Sequence, residues 1–356
     1  MMIILIEMNS LNLKYSKYFT EISRIVIVIK LIIFIILVLL NPLKKKKNNY
    51  FFSENGTNKE YCKNYGLLVY DYHYSFTKPV NRVNIGDYIQ SLAAFQYLPK
   101  NCFPILIERD TIQYYHGPKA KLIMNGWFSI KEGNKYTSEQ IDPLYLSFHI
   151  NNDIKEKSMI EHLKRYEPIG CRDLYTFHLL LNKNIKAFFS SCLTTTLDKN
   201  YFIKNSLRNE EIIFTNFKFG YLDKADEFIK NLTAYNFKNI TYLTHSFSIK
   251  INHLERFRIA HSLLKRYANA KLVITTRIHA ALPCLALKTP VIFVNKKYDK
   301  YRYNGIYNLL NTIGINANNK FEIKVNKNRF GFIFNSNKYL NYSIQLKNII
   351  KKKYKF

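Results

Sequence analysis

Cysteine is scarce in this 356-residue chain: Cys62, Cys102, Cys171, Cys192 and Cys284 are five, odd in number and widely spaced. None forms a CxxC pair, which argues against a cysteine zinc site and against a disulfide framework. Glycine and proline are also few, 11 and 9, beside 47% hydrophobic residues. That balance describes a globular protein and excludes a disordered one. Acidic residues are the third deficit: 25 Asp and Glu against 54 Lys and Arg leave a formal net charge of +29. Such a field attracts anions in general. The basic residues are scattered and not gathered into a stripe, so they indicate no specific nucleic-acid partner. There is no GxxxxGK[ST] phosphate loop, no GxGxxG, no HExxH and no metal-holding DxD. What remains is metal-free group transfer on a small anionic substrate, with no cofactor indicated.

The length exceeds what one compact core usually accommodates and suggests two domains. Residues 25–40 read IVIVIKLIIFIILVLL, apolar except for Lys30. At about 1.5 Å per residue this run falls slightly short of a roughly 30 Å hydrocarbon core, and Lys30 can snorkel. It is read as a single-pass membrane anchor within residues 1–43, a buried helix being the alternative. Lysines and an arginine flank it on both sides, giving only a faint lean towards a cytoplasmic folded part. A polar stalk follows over residues 44–65.

From residue 66 strand and helix patterns alternate. Strands are expected over 66–70, 103–107, 121–125, 144–148, 168–171 and 185–189, with helices over 88–97 and 174–181. After a polar linker near 197–209 come strands at 211–215, 240–244, 271–275 and 291–294 and helices at 224–235, 254–267 and 280–287. The fold class is therefore α/β, with doubly wound Rossmann-like domains over 66–200 and 201–356. Two such sheets facing one another would make a GT-B-like cleft lined by strand C-terminal ends. Residues 336–356 read as a basic amphipathic helix that is packed or solvated.

Three segments carry chemistry. Thr275-Thr276-Arg277-Ile278-His279 ends a buried strand and opens a helix, which is the ligand-binding edge of an open α/β sheet and a favourable place for an anion. There Arg277 can grip a carboxylate or phosphate and His279 can move a proton; a surface Arg and a satisfied core His fit the same pattern. Asn84-Ile85-Gly86-Asp87 precedes the helix expected from residue 88. Gly86 permits a close backbone approach, and Asp87 can cap that helix or serve as a general base. In Gly170-Cys171-Arg172-Asp173, Asp173 is the expected N-cap and Arg172 points to a similar sheet edge, unless the two form a local ion pair. Residues 190–197 offer Ser and Thr hydroxyls to an anion, or make a plain turn.

Taken in order, these elements with Ser191-Cys192-Leu193-Thr194, Ala280-Ala281 and Pro290-Val291-Ile292 resemble the polysaccharide pyruvyl transferase family. Met124-Asn125-Gly126-Trp127 and Ser147-Phe148-His149 add to the likeness, which spans roughly residues 66–311. Pro79-Val80-Asn81-Arg82-Val83 departs from the glycine-rich approach often seen before the NxGD element. The resemblance implies a GT-B-like fold and transfer of pyruvate from phosphoenolpyruvate to a sugar hydroxyl of a glycan or glycolipid, forming a ketal. It implies that Arg277, Ile278 (through its backbone), His279 and Arg172 bind the donor, with Asn84 and Gly86 on the substrate-binding loop. His279 is the candidate acid and Asp87 the candidate base. A glycosyltransferase using a nucleotide sugar and a non-catalytic, membrane-tethered basic module are the alternatives.

Overall fold

Continuous apolar runs such as Ile212–Thr215 and Val291–Asn295 suit strands covered on both faces, and the computed structural model buries every residue of both. It describes residues 61–71, 81–99, 103–128, 137–150, 153–201 and 208–354. The run read as a membrane anchor lies outside them, and among the described residues no helix is long and apolar enough to cross a membrane.

The strands before residue 200 are β1 (Tyr61–Val69), β2 (Arg82–Asn84), β3 (Phe103–Glu108), β4 (Ala120–Ile123), β5 (Gly126–Phe128), β6 (Ile141–Leu144), β7 (Phe148–Ile150), β8 (Ile169–Cys171) and β9 (Ala187–Phe189). Two parallel ladders arise from them, β3-β1-β4-β6 and β5-β7-β8-β9. The chain runs almost directly from β4 into β5 and from β6 into β7, and Met124 N donates to Leu144 O at 2.9 Å across the first interruption. The helices of this half are α1 (Ile85–Phe95), α2 (Lys157–Arg165) and α3 (Leu174–Leu181).

The later strands are β10 (Ile212–Thr215), β11 (Ile240–Leu243), β12 (Ser246–Ser248), β13 (Leu272–Thr275), β14 (Val291–Asn295), β15 (Asn311–Ile315) and β16 (Phe321–Lys324). They alternate with α4 (Asp223–Lys230), α5 (His253–Asn269), α6 (Ile278–Ala286), the short α7 (Lys300–Tyr303) and α8 (Tyr339–Tyr354). Their sheet runs β11-β10-β13-β14-β15-β16, parallel except for the antiparallel edge strand β16. Strand order reverses between β10 and β13, the switch point where open α/β sheets bind ligands. Phe214, Phe217, Leu272, Ile274, Ile292 and Ile313 are among the residues of the core beneath it.

The two halves are stitched together beside that point. β2 pairs antiparallel with β12, Asn84 facing Ser246, and Ile85 N donates to His245 O at 2.8 Å. Residues 59–356 accordingly pack as one compact unit.

Several expectations shift. α1 begins at Ile85, and Asn84, whose side chain accepts from Gly86 N, is its cap; Asp87 lies in the first turn. The chain needs extended geometry only up to Asn84, because that is where pairing with β12 ends. No strand crosses 144–148; β6 stops at Leu144 and β7 starts at Phe148, because Ser147 adopts a left-handed φ of 56°. β1 already begins at Tyr61, inside the stretch read as stalk. The C-terminal helix is packed: Leu346, Ile350 and Tyr354 are buried and Ser343 Oγ donates to Thr195 O at 3.1 Å.

Candidate active site

At the end of β13, hydroxyls set the backbone. Thr275 Oγ1 donates to Thr215 O at 3.0 Å and accepts from Arg277 N at 2.9 Å, while Thr276 Oγ1 donates to Asn216 O at 2.9 Å. Arg277 is thereby held at the N-cap of α6, exposed, with no side chain accepting from the first turn. An uncapped N-terminus presents amides and a positive dipole to an anion.

His279 follows in that turn, 7% exposed, and its Nε2 has no hydrogen-bond partner. Burial, then the charges of Arg172, Arg302, His245 and Arg277, hold its imidazole well below the usual histidine range. The charges of Arg172 and Arg277, from opposite halves of the chain, therefore both act on one imidazole. Gly86 joins them: a Cβ there would meet His279 Cβ at 3.1 Å and His245 Nδ1 at 3.2 Å. A side chain here would press on both histidines, so glycine eases this close approach between the NxGD element and the Arg–His element.

Arg172 sits just after β8, and its amide donates to Phe148 O at 2.9 Å. It is 2% exposed, and burial pushes its guanidinium down in pKa against the pull of Asp173. Asp173 lies 3.7 Å from Nε, too far for a hydrogen bond, so Nε is left without a partner. The expected Arg172–Asp173 pair is thus buried and incomplete. Asp173 caps α3 as expected: one oxygen accepts from Thr176 N at 2.9 Å, and the other lies 2.6 Å from His149 Nδ1. Burial first, and Arg172 next, push His149 down to about 4 despite that carboxylate. Neutral His149 then carries its proton on Nδ1, and its buried Nε2 has no partner.

Asp87 is 8% exposed and accepts from Gln90 Nε2 at 3.1 Å. Its charge is felt by Arg109 and by Arg172, which puts it at the edge of the same group. Asn84 Oδ1 is engaged by the helix cap, so the residue places Gly86. Ile278 is the first residue of α6, at the uncapped amides. The Ser/Thr run contributes less than its composition promises. Thr194 Oγ1 donates to Cys192 Sγ, Thr195 Oγ1 to Cys192 O and Thr196 Oγ1 to Leu193 O, closing a buried turn.

Three members escaped sequence reasoning. His149 gave no signal beyond its place in a likeness. His245, pushed down to about 3 by burial and the Arg277 charge, bonds Tyr267 Oη at 2.8 Å and braces Gly86. Arg302 is exposed and lies in α7, where Asp299 accepts from the amides of Tyr301 and Arg302. Leu174 N donates to Asn304 O at 3.0 Å, and Tyr301 packs edge-on against Tyr175 at 4.7 Å. Those contacts dock the α7 turn onto α3, and the Arg302 charge acts on Arg172, His149 and His279. Among the described residues no group of three His, Cys, Asp or Glu could hold a metal ion.

An uncharacterised protein from Klebsiella pneumoniae aligns over 72% of this chain and 94% of its own, with 17% identity and a TM-score of 0.40. The E. coli heptosyltransferase WaaC, solved with ADP, aligns over 82% and 98%, with 13% identity and a TM-score of 0.25. No curated protein matches. The sequence model of polysaccharide pyruvyl transferases matches residues 84–298, from the NxGD element past the Arg–His helix and β14, and the chain belongs to that family.

Proposed function

We propose that the protein transfers pyruvate from phosphoenolpyruvate to a sugar hydroxyl of a glycan or glycolipid, closing a ketal, in a two-domain GT-B-like cleft. The observation that carries this reading is that the charges of Arg172, Arg277 and Arg302 all act on a buried His279 whose Nε2 has no partner, at an uncapped helix N-terminus. Two carboxylate–phosphate grips need several guanidiniums, and the donor has both groups on one small frame.

The order of events follows from charge. His279 is neutral in the folded protein, because burial first, and then the charges of Arg172, Arg302, His245 and Arg277, oppose its protonation. An anionic donor offsets them, and the imidazole can then take up a proton. It delivers that proton to the donor's methylene carbon, leaving positive charge at C2. The first sugar oxygen attacks C2 and its proton passes to Asp87. The C2–O bond to phosphate breaks, phosphate departs with the electron pair, and the second hydroxyl closes the ketal as it loses its proton to the now neutral His279. In this reading Arg172 and the Ile278 amide hold the donor while this happens. The apolar run at 25–40 is proposed to tether the enzyme beside a membrane-bound acceptor.

Incubation of the full chain with phosphoenolpyruvate and glycan acceptors tests the reaction. Release of phosphate with a pyruvate mass added to the glycan is expected. Transfer from a nucleotide sugar, with no phosphate released from phosphoenolpyruvate, would contradict it.

A further inference from the structure

A row of hydrogen-bond acceptors adjoins the cations. Gln90 and Asn125 are each 1% exposed, Ser147 likewise, and His149 fully buried. The donors of three of them are engaged. Gln90 Nε2 donates to Asp87 at 3.1 Å, Asn125 Nδ2 to Gln90 O at 2.8 Å, and His149 Nδ1 faces Asp173 at 2.6 Å. These partners fix the orientation of both amides and the tautomer of the ring. What is left over is Gln90 Oε1, Asn125 Oδ1, His149 Nε2 and the Ser147 hydroxyl, all buried and all without a partner.

Sheet pairing and one hydrogen bond tie the four residues into one region. Asn125 immediately precedes β5, which pairs with β7 so that Trp127 faces His149. Asn125 is bonded to Gln90 on α1, and Ser147 lies two residues before His149 in strained left-handed backbone with φ 56°. Buried acceptors are rarely left open, so this row points to a ligand that brings its own donors. An anion would meet three lone-pair acceptors here and a single hydroxyl donor, that of Ser147. A hydroxyl-rich, uncharged ligand would supply an O–H to each.

We propose that Gln90, Asn125, Ser147 and His149 form the acceptor subsite, and that it selects a neutral sugar over an acidic one by accepting hydrogen bonds from its hydroxyls. The inference rests on the pyruvyl-transfer reading and deepens it. Asp87, bonded to Gln90, stands at the end of this row, where a hydroxyl held by the amides would meet a carboxylate. His149, held by Asp173, is an acceptor of fixed direction.

The test uses the full chain and three probes: methyl β-D-galactopyranoside, methyl β-D-glucopyranoside and methyl β-D-glucuronide. Thermal stabilisation is read with and without saturating phosphoenolpyruvate. A neutral hexoside should raise the midpoint and the glucuronide should not. Gln90→Leu and Asn125→Leu should weaken hexoside binding at least about tenfold while keeping the shift that phosphoenolpyruvate alone produces. Ser147→Ala, which removes a hydroxyl engaged in no bond, should weaken it about threefold and guards against misfolding of the other two. Glucuronide binding as tight as the hexosides, no hexoside shift at all, or unchanged hexoside affinity in the folded variants would overturn the subsite. Loss of the phosphoenolpyruvate shift in the unsubstituted chain, with hexoside binding intact, would instead overturn the donor reading.

Discussion

His149 and His279 are both buried, both pushed below the ordinary histidine range and both left with an unpartnered Nε2. Their surroundings differ in one respect. His149 has Asp173 at 2.6 Å, so its tautomer is set and its free nitrogen accepts. His279 feels the charges of Arg172, Arg302, His245 and Arg277, and among the described residues no carboxylate pairs with it. A ring in that setting gains a proton only when negative charge arrives. The first histidine keeps its protonation state whether or not the donor is bound, while the second changes its own when the donor's charge arrives.

The largest expected effect breaks the second environment. Arg277→Ala and His279→Asn should each lower pyruvyl transfer by about 10²–10⁴-fold, read as product mass per unit time, in the range usual for losing a positioned acid or charge clamp. Arg302→Ala sharpens the same point more gently: loss of one exposed guanidinium should raise the KM for phosphoenolpyruvate roughly tenfold, with kcat changed less. Unchanged KM would remove Arg302 from the donor site.

A third expectation concerns stability. The folded-state pKa values of His149 and His245 lie at about 4 and about 3, below an unfolded value near 6.5. Burial of their neutral rings therefore stabilises the fold fully above about pH 6.5, and that contribution is lost as pH falls towards 4. The unfolding midpoint should drop by several degrees between pH 7 and pH 5. His149→Asn should shallow the slope by about one proton. A flat profile over that window would contradict the burial assigned to these rings.

Much of this arrangement was legible because its signals are local. Asp173 before an apolar run marks both the cap and the start of α3, and the helix spans Leu174–Leu181 as expected. The apolar strings around β10, β13 and β14 reveal their strands within a residue or two. Arg277 and His279 were visible as a pair because strand, cap and helix follow one another without a break. Tertiary choices were not legible. Nothing near Arg82 announces that it will pair with Ser248, since a ladder between distant segments leaves no periodicity in either. Leu144 to Phe148 looked like one strand because the left-handed turn at Ser147 is carried by a serine and not a glycine. Arg302 was hidden because its turn reaches the site by docking onto α3, a contact set by Asn304 and Tyr301 rather than by any motif.

The most direct test of the contrast between the two histidines is calorimetric titration of phosphoenolpyruvate into the full chain near pH 7, in two buffers of different ionisation enthalpy. The expected result is binding with uptake of a fraction of a proton, up to one, that disappears in His279→Asn and persists in His149→Asn. Absence of binding, or identical heats in both buffers, would contradict a donor-loaded His279.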